Sequence, residues 1–256
     1  MQMIDTHAHY DDVAYEKDRS LLLFELKEKG ISHIVNCASD HASIDKTLEL
    51  TRQFPHVHAA LGIHPQNGFD YLDVVEDELK QLLTEPKVVA VGEIGLDYYW
   101  EENPPKEVQK EILLRQFDLA RAFDKPVILH VREAYGDMME ILRDNHDLKG
   151  VLHSFSGSPE IAREAVALGF YLGIGGVATF KNARKLPEVI EETPLEFLLT
   201  ETDAPYLTPV PYRGKRNRSD HMAYVIEAIA KIKGLTAEET GEKLYQNALN
   251  FFKFPE

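Results

Sequence analysis

One cysteine, Cys37, stands in a chain of 256 residues. An intramolecular disulfide is thereby excluded, and a reducing compartment fits best. No apolar run approaches the roughly 20 residues that span a bilayer, so no membrane-crossing helix is expected. The opening stretch, Met1-Gln-Met-Ile-Asp-Thr-His, has neither the basic start nor the apolar centre of an export signal, and a cytoplasmic protein is the expectation. Positive charge is scarce: 28 Lys and Arg against 43 Asp and Glu leave a formal net charge of −15. Broad, non-specific binding along a nucleic-acid backbone depends on many cationic contacts and is disfavoured. A bound divalent cation can still reverse the sign of the field locally. A Gly-rich fingerprint after the first strand-like run is also missing, which counts against a dinucleotide-binding fold. Low-complexity segments and sequence repeats are absent too.

What is present is a regular alternation of short apolar runs with longer amphipathic ones. The short runs are Met3–Asp5, His33–Asn36, His58–Gly62, Val88–Gly92, Val127–His130, Val151–His153, Tyr171–Ile174 and Leu198–Thr200. They lack polar alternation, as expected of strands buried on both faces. Helical periodicity follows each, for example in Leu21-Leu22-Leu23-Phe24 and in Ile112-Leu113 through Leu119-Ala120. Eight such units without a linker imply a parallel sheet with crossover helices. About 250 residues is the usual size of a (β/α)8 barrel, so residues 1–256 read as a single TIM barrel domain. Ala237–Phe252 reads as an extra C-terminal helix closing the base or side of that barrel.

In a barrel of this kind, side chains at the C-terminal ends of the strands line the active site, and those at strand starts serve stability. His7 and His9 follow the first run two residues apart, so in an extended segment both rings face the same way, into the mouth. Imidazole is a common ligand of zinc-like ions. His56 and His58 have the same spacing but fall at the start of the third run, and with His33 they read as structural. His41, His146 and His221 fall in or beside helices and read as solvated or as caps. His64, in Gly62-Ile-His-Pro65, is expected to touch substrate or phosphate, or to hold its turn by a hydrogen bond.

Glu93 ends the wholly apolar fourth run, where a carboxylate is costly unless paired or metal-bound. It is therefore the candidate for a ligand shared by two ions, the alternative being an ion pair with Arg132. His130 and His153 end the fifth and sixth runs, and Asp203 follows the eighth, placed to bind metal and accept a proton from water. Asp97 and Glu201 are expected to orient ligands from behind. Arg132 is expected to meet an anionic part of the substrate. Arg213 and Lys215 lie in the only strongly basic stretch, Pro211–Arg218, and are expected to bind phosphates at the rim. Four histidines and two carboxylates with open positions suit divalent ions. A pair of such ions would hydrolyse phosphodiesters, amides or lactones, and the ligands do not choose among them.

Six motifs in order carry a resemblance that spans essentially the whole chain. They are Asp5-Thr-His7-Ala-His9, Gly62-Ile-His64-Pro65, Gly92-Glu93-Ile-Gly-Leu-Asp97-Tyr, His130-Val-Arg132-Glu-Ala, His153-Ser-Phe-Ser-Gly157 and Glu201-Thr-Asp203-Ala-Pro205-Tyr-Leu, followed by Arg213-Gly. This pattern resembles the TatD family of metal-dependent deoxyribonucleases within the amidohydrolase superfamily. The resemblance implies two divalent ions (Mg, Mn, Zn or Ni), one held by His7, His9, Glu93 and Asp203, the other by Glu93, His130 and His153. It also implies hydrolysis of DNA phosphodiesters, with exonuclease action on single-stranded ends, in a cytosolic protein.

Two positions depart from the family pattern. Gln66 stands where a second histidine often follows His-Pro, and Arg216-Asn-Arg-Ser-Asp220 replaces the usual Arg-Asn-Glu-Pro. Neither is an expected ligand, and both fall where substrate would be held. The rival reading is another hydrolase on the same barrel: an amidase, a lactonase or a D-aminoacyl-tRNA deacylase. Many amidohydrolases bridge their metals with a carboxylated lysine on strand four, and Glu93 at that place favours the nuclease branch.

Overall fold

The computed structural model describes residues 1–255; residue 256, the last of the expected unit, lies outside them. Eight strands form one parallel sheet in sequential order: β1 Met3–Ala8, β2 Ile31–Cys37, β3 Val57–Leu61, β4 Val88–Asp97, β5 Val127–Arg132, β6 Gly150–Leu152, β7 Tyr171–Ile174 and β8 Leu198–Thr200. The segment after β8 returns to β1 and closes the barrel. Ala204 bridges Ala8, and Asp203 N–H donates to the His7 carbonyl at 2.9 Å. All six residues of β1, all five of β3 and all ten of β4 are buried, as in strands covered on both faces, polar members such as His7 and Glu93 included.

The helices are α1 Arg19–Glu28, α2 His41–Gln53, α3 Asp73–Leu82, α4 Lys106–Ala122, α5 Tyr135–Asp144, α6 Pro159–Ala167, α7 Leu186–Glu192, α8 Met222–Lys233 and α9 Ala237–Phe252. Their starts follow local chemistry. Asp40 with Ser43 forms a capping box on α2, and Thr236 with Glu239 another on α9. Ser158 caps α6 with Pro159 in the first turn. Each satisfies backbone N–H groups that have no intrahelical partner. No helix among the described residues is long and apolar enough to cross a membrane.

Two apolar regions hold the barrel together. The larger lies between sheet and helices and includes Leu23, Ile34, Leu61, Phe117, Phe170 and Ile229. The smaller fills the barrel interior with Ile4, Val35, Ala60, Val89, Ile128, Val151 and Leu199, and α9 caps it with Phe251 and Phe252. The expected closing helix is thus the plug of the barrel floor, so the site above it rests on a packed base.

Strand lengths differ from the sequence reading at one place that matters. The fourth run was expected to stop at Gly92, but β4 continues to Asp97, and its pairing with β5 shifts register between Val91 and Ile94. Glu93 therefore sits inside the strand, beneath the mouth. Gly92 and Gly95 belong to the same close approach: a Cβ at Gly92 would come within 2.7 Å of Ile128 Cβ, and one at Gly95 within 2.0 Å of the His130 carbonyl. Gly95 also has a φ of +150°, which favours glycine. Apolar periodicity ended at Glu93 because the charge interrupts it, whereas the backbone ladder does not depend on side-chain polarity.

Candidate active site

The expected ligands converge at the C-terminal end of the barrel. His7 lies in β1 and His9 just past it, and their Nε2 atoms are 3.0 Å apart. Glu93 rises from β4, His130 from β5, His153 from the residue after β6, and Asp203 from the loop after β8. Asp203 adopts a left-handed φ of +55°, a conformation Asp tolerates better than most residues. The His7 and His153 rings stack with centroids 3.9 Å apart.

Glu93 is the centre of the arrangement, because its two oxygens face different sets of partners. Oε2 lies 3.4 Å from His7 Nε2 and 3.5 Å from His9 Nε2. Oε1 lies 2.8 Å from both His130 Nδ1 and His153 Nε2, and 3.6 Å from His64 Nε2. Asp203 Oδ1 joins the first set, 3.5 Å from His9 Nε2 and 3.7 Å from His7 Nε2. The alternative ion pair between Glu93 and Arg132 is not formed among the described residues. Arg132 instead stacks its guanidinium 3.9 Å above the Tyr99 ring.

His9 and His130 are held from behind through their remaining ring nitrogens, whereas the buried His153 Nδ1 has no hydrogen-bond partner among the described residues. His9 Nδ1 donates to the Cys37 carbonyl at 2.8 Å, since a carbonyl only accepts. His130 Nε2 faces Asp97 Oδ2 at 3.3 Å, and His153 Nδ1 faces Glu201 Oε1 at 3.7 Å. Glu201 Oε1 also accepts the Ser154 N–H at 2.5 Å. Gly173 makes room for this carboxylate, since a Cβ there would lie 2.2 Å from Glu201 Oε2. Asp97 and Glu201 thus lie behind the His130 and His153 rings.

These partners fix tautomers. A neutral His9 that donates from Nδ1 presents a bare lone pair at Nε2, and a neutral His130 that donates from Nε2 presents one at Nδ1. Both lone pairs point at carboxylate oxygens, which are also acceptors. Such an array is repulsive unless positive charge lies among the atoms, so the donor set suits divalent cations. Three overlapping groups have ligand atoms within 4.8 Å of one another: His7, His9 and Glu93; His7, His153 and Asp203; His64, Glu93 and His130.

The same demand for positive charge shows in the ring pKa values, where protons meet it. Burial disfavours charge on His9, but the Asp203 hydrogen bond and the Glu93, Asp203 and Asp11 charges outweigh it and raise the ring to about 9. His130 and His153 are raised in the same way, against their burial, by Asp97, Glu93 and Glu201. Burial opposes ionisation of Glu93, yet the His153 charge and the His130 hydrogen bond hold it well below the usual range.

His64 differs from the other four. Its Nδ1 accepts the Gln66 N–H at 3.2 Å, which leaves the hydrogen on Nε2, directed at Glu93. In that tautomer its Nε2–H can donate to an anion and is not a ligand, and at 3.6 Å it makes no hydrogen bond to Glu93. Burial pushes it down to about 3, so it is neutral over the working range. Of the two alternatives posed from sequence, the hydrogen bond that holds its turn is present.

The basic stretch is arranged differently from its appearance in sequence. Arg216 makes a two-pronged pair with Asp18 at 2.7 and 2.6 Å, and Arg218 donates to Asp220 at 2.5 Å. Arg213 lies over the Phe180 ring and Lys215 over Tyr212. None of the four lines the two cavities that meet at the ligand cluster. The cations that do are Arg132, Arg184 and Lys185. Sequence reading missed the last two because they follow β7, whose end carries no histidine or carboxylate to draw notice. The strand-end rule alone would have pointed to them. The mouth also carries exposed aromatic rings, Tyr99, Trp100 and Tyr206, unremarked in sequence because surface aromatics have no periodic signature.

The remaining histidines stand as read. His33 Nδ1 meets His58 Nε2 at 2.9 Å at the opposite end of the barrel, against Phe254. His41 pairs with Glu78, His146 faces the Arg143 carbonyl after α5, and His221 stacks on Tyr212.

Residues 4–253 match the family described as TatD related DNase. The chain is 40% identical over 256 residues to YabD of Bacillus subtilis (strain 168), an uncharacterized metal-dependent hydrolase, covering 98% of this chain and 99% of that one. It is 36% identical over 258 residues to YcfH of Escherichia coli (strain K12), also an uncharacterized metal-dependent hydrolase, covering 98% and 96%. The crystal structure of YJJV, a TatD homolog from Escherichia coli K12, superposes with a TM-score of 0.92 at 34% identity, over 99% of this chain and 98% of that one. A TatD family hydrolase from Entamoeba histolytica shares the fold with a TM-score of 0.90 at 24% identity, over 98% of each chain. The barrel, the convergent donor set and these relatives agree: the chain belongs to the TatD family of metal-dependent hydrolases.

Proposed function

We propose that the protein is a divalent-metal-dependent deoxyribonuclease that hydrolyses phosphodiester bonds at the ends of single-stranded DNA. The observation that carries this reading is that the cavity holding the ligand cluster, lined by His9, Glu93, His130, His153 and Asp203, is joined along one edge by a second open cavity. Cavities of about 610 and 530 Å³ share His130, Arg132, His153, Asp203 and Tyr206 along their boundary. A substrate that extends past the reacting bond on both sides fits such a site, whereas a small amide or lactone needs only one pocket. The exposed rings of Trp100 and Tyr206 offer faces on which unpaired bases stack, an interaction worth about 1–3 kcal/mol per base.

In this reading His7, His9, Glu93 and Asp203 hold one ion, and Glu93, His130 and His153 the other. The ions would acidify a water molecule and offset the negative charge that builds on the phosphoryl oxygens. Asp203 is kept ionised by the His9 hydrogen bond and by the neighbouring charges of His7 and His153, against its burial. It accepts the proton of the attacking water as the bond to phosphorus forms, while the P–O bond to the departing sugar oxygen breaks and that oxygen takes up a proton from solvent. The His64 Nε2–H and the Arg132 guanidinium donate to phosphoryl oxygens, and Arg132 is braced for this by Tyr99. Family membership and the printed description of its model support DNA as the polymer. The protein acts in the cytoplasm on this reading.

Asp11 and Asp12 in one cavity favour a second reading, a small-molecule amidase or lactonase, or an aminoacyl-tRNA deacylase, whose substrate presents a neutral or cationic group there. One experiment separates the two. Chelator-stripped protein is reloaded with Mg²⁺, Mn²⁺, Zn²⁺ or Ni²⁺ and incubated with end-labelled single-stranded DNA. Stepwise shortening that needs metal and is lost in Asp203→Asn is expected. Metal-loaded protein that leaves the strand intact would establish the second reading in its place.

A further inference from the structure

We infer that the cavity beside the loop after β7 is a subsite for the phosphate next to the scissile one, with Arg184 and Lys185 as its contacts. The inference rests on the nuclease reading and adds to it the direction in which the strand leaves the site.

The two cavities differ in charge. The one toward β1–β4 is bordered by Asp11, Asp12 and Asp97 besides the ligand carboxylates, with Arg132 as its only Lys or Arg among the described residues. Asp11 accepts from Asn36 at 2.8 Å, and Asp12 accepts the Ala14 N–H at 2.6 Å and the Tyr206 hydroxyl at 3.0 Å. Both are fixed as acceptors at the cavity edge. A phosphate there would face like charge, so this cavity suits a terminal nucleoside, whose base can meet the Trp100 ring.

The other cavity has the opposite character. Arg132, Arg184 and Lys185 line it, and Phe155, Val177 and Leu186 give it apolar walls. Arg184 and Lys185 are exposed, and neither has an acidic partner within 4.0 Å among the described residues. In the basic stretch Arg216 and Arg218 are already bound to Asp18 and Asp220, and Arg213 and Lys215, also without acidic partners among the described residues, line neither cavity. In a chain of net charge −15, free cations facing a cavity that opens on the reacting centre are a specific feature of that cavity. A strand with its scissile phosphate at the ligand cluster has one direction in which its next phosphate meets cations, and that is past His153 toward Arg184 and Lys185. Only one side accepts phosphates, so the arrangement suits cleavage near an end and not within a long strand.

The test compares two substrates of metal-loaded protein. Tetrathymidylate carries phosphates beyond the scissile one, and bis(4-nitrophenyl) phosphate carries none. The quantity read is the ratio of kcat/KM for the first to kcat/KM for the second. Arg184→Gln with Lys185→Gln is expected to lower this ratio by about tenfold or more, as loss of charge-assisted phosphate contacts implies. The loss should appear in KM. The log–log salt dependence of kcat/KM for tetrathymidylate should also become shallower by about 0.7, the value for one phosphate contact on a single strand. Arg184→Lys, which keeps the charge, should largely preserve the ratio. An unchanged ratio in the double variant, with tetrathymidylate still cleaved by the wild type, overturns the subsite and leaves the nuclease reading standing. Wild-type protein that hydrolyses bis(4-nitrophenyl) phosphate but no oligonucleotide overturns both.

Discussion

Acid should weaken this barrel from its floor, at His56 and His58. Both are buried at the start of β3, far from the ligand cluster, and His58 Nδ1 has no hydrogen-bond partner. Burial lowers His56 to about 4, with the Lys27 and Lys87 charges adding to the effect. Burial likewise lowers His58 to about 3, aided by His33 and Lys87. An unfolded imidazole titrates near 6.5, so the unfolded chain binds more protons than the folded one below that pH. The stabilisation from keeping the rings neutral is therefore complete above about pH 6.5 and is lost progressively as the pH falls toward the folded values. At pH 5 the gap is about 1.5 pH units per ring, or about 2 kcal/mol each and about 4 kcal/mol for the pair. The assay is urea unfolding at pH 8 and pH 5 in chelator, so that metal occupancy does not enter. His56→Leu with His58→Leu serves as the comparison. Wild type should lose about 4 kcal/mol more than the double variant over that interval, because the variant cannot take up these two protons. The same pH loss in both proteins would refute the reasoning and place the acid sensitivity elsewhere.

Two further outcomes bear on the site itself. Glu93→Ala should lower bound divalent metal, measured by elemental analysis of dialysed protein, together with hydrolysis. Retention of both ions in that variant would remove Glu93 as the bridge. Gly173→Ala should push a methyl group into Glu201 Oε2, break the Ser154 contact and turn His153, costing about 1–3 kcal/mol of stability and weakening the metal retained at His130 and His153. Wild-type metal content with an unshifted denaturation midpoint would show that Glu201 does not hold His153.

Much of this was readable from residue order. Eight apolar runs separated by amphipathic ones imply a parallel barrel, because strands buried on both faces need crossover helices to cover them. His7 and His9 could be paired because extended backbone repeats every two residues. His33, His56 and His58 could be set aside by their place at strand starts, and they do lie at the other end of the barrel. Those inferences depend on local periodicity and on chain direction, which a linear sequence carries in full.

What needed the tertiary structure is whatever depends on how separate strand ends face one another. That Glu93 turns one oxygen to His7 and His9 and the other to His130 and His153 follows from the continuation of β4 beyond Gly92 and its register shift against β5. The tautomer of His64 is set by a turn N–H, and that of His9 by a carbonyl on the neighbouring strand. A sequence counts charges without their partners or their direction: Asp18, almost 200 positions away, neutralises Arg216, and Arg213 and Lys215 line neither cavity at the ligand cluster. Arg184 and Lys185 drew no notice in a short run after β7, yet they face the cavity beside the ligands. Chemistry within a strand is local and legible. The sign and direction of the field across a barrel mouth are sums over distant loops, and only the closed fold decides them.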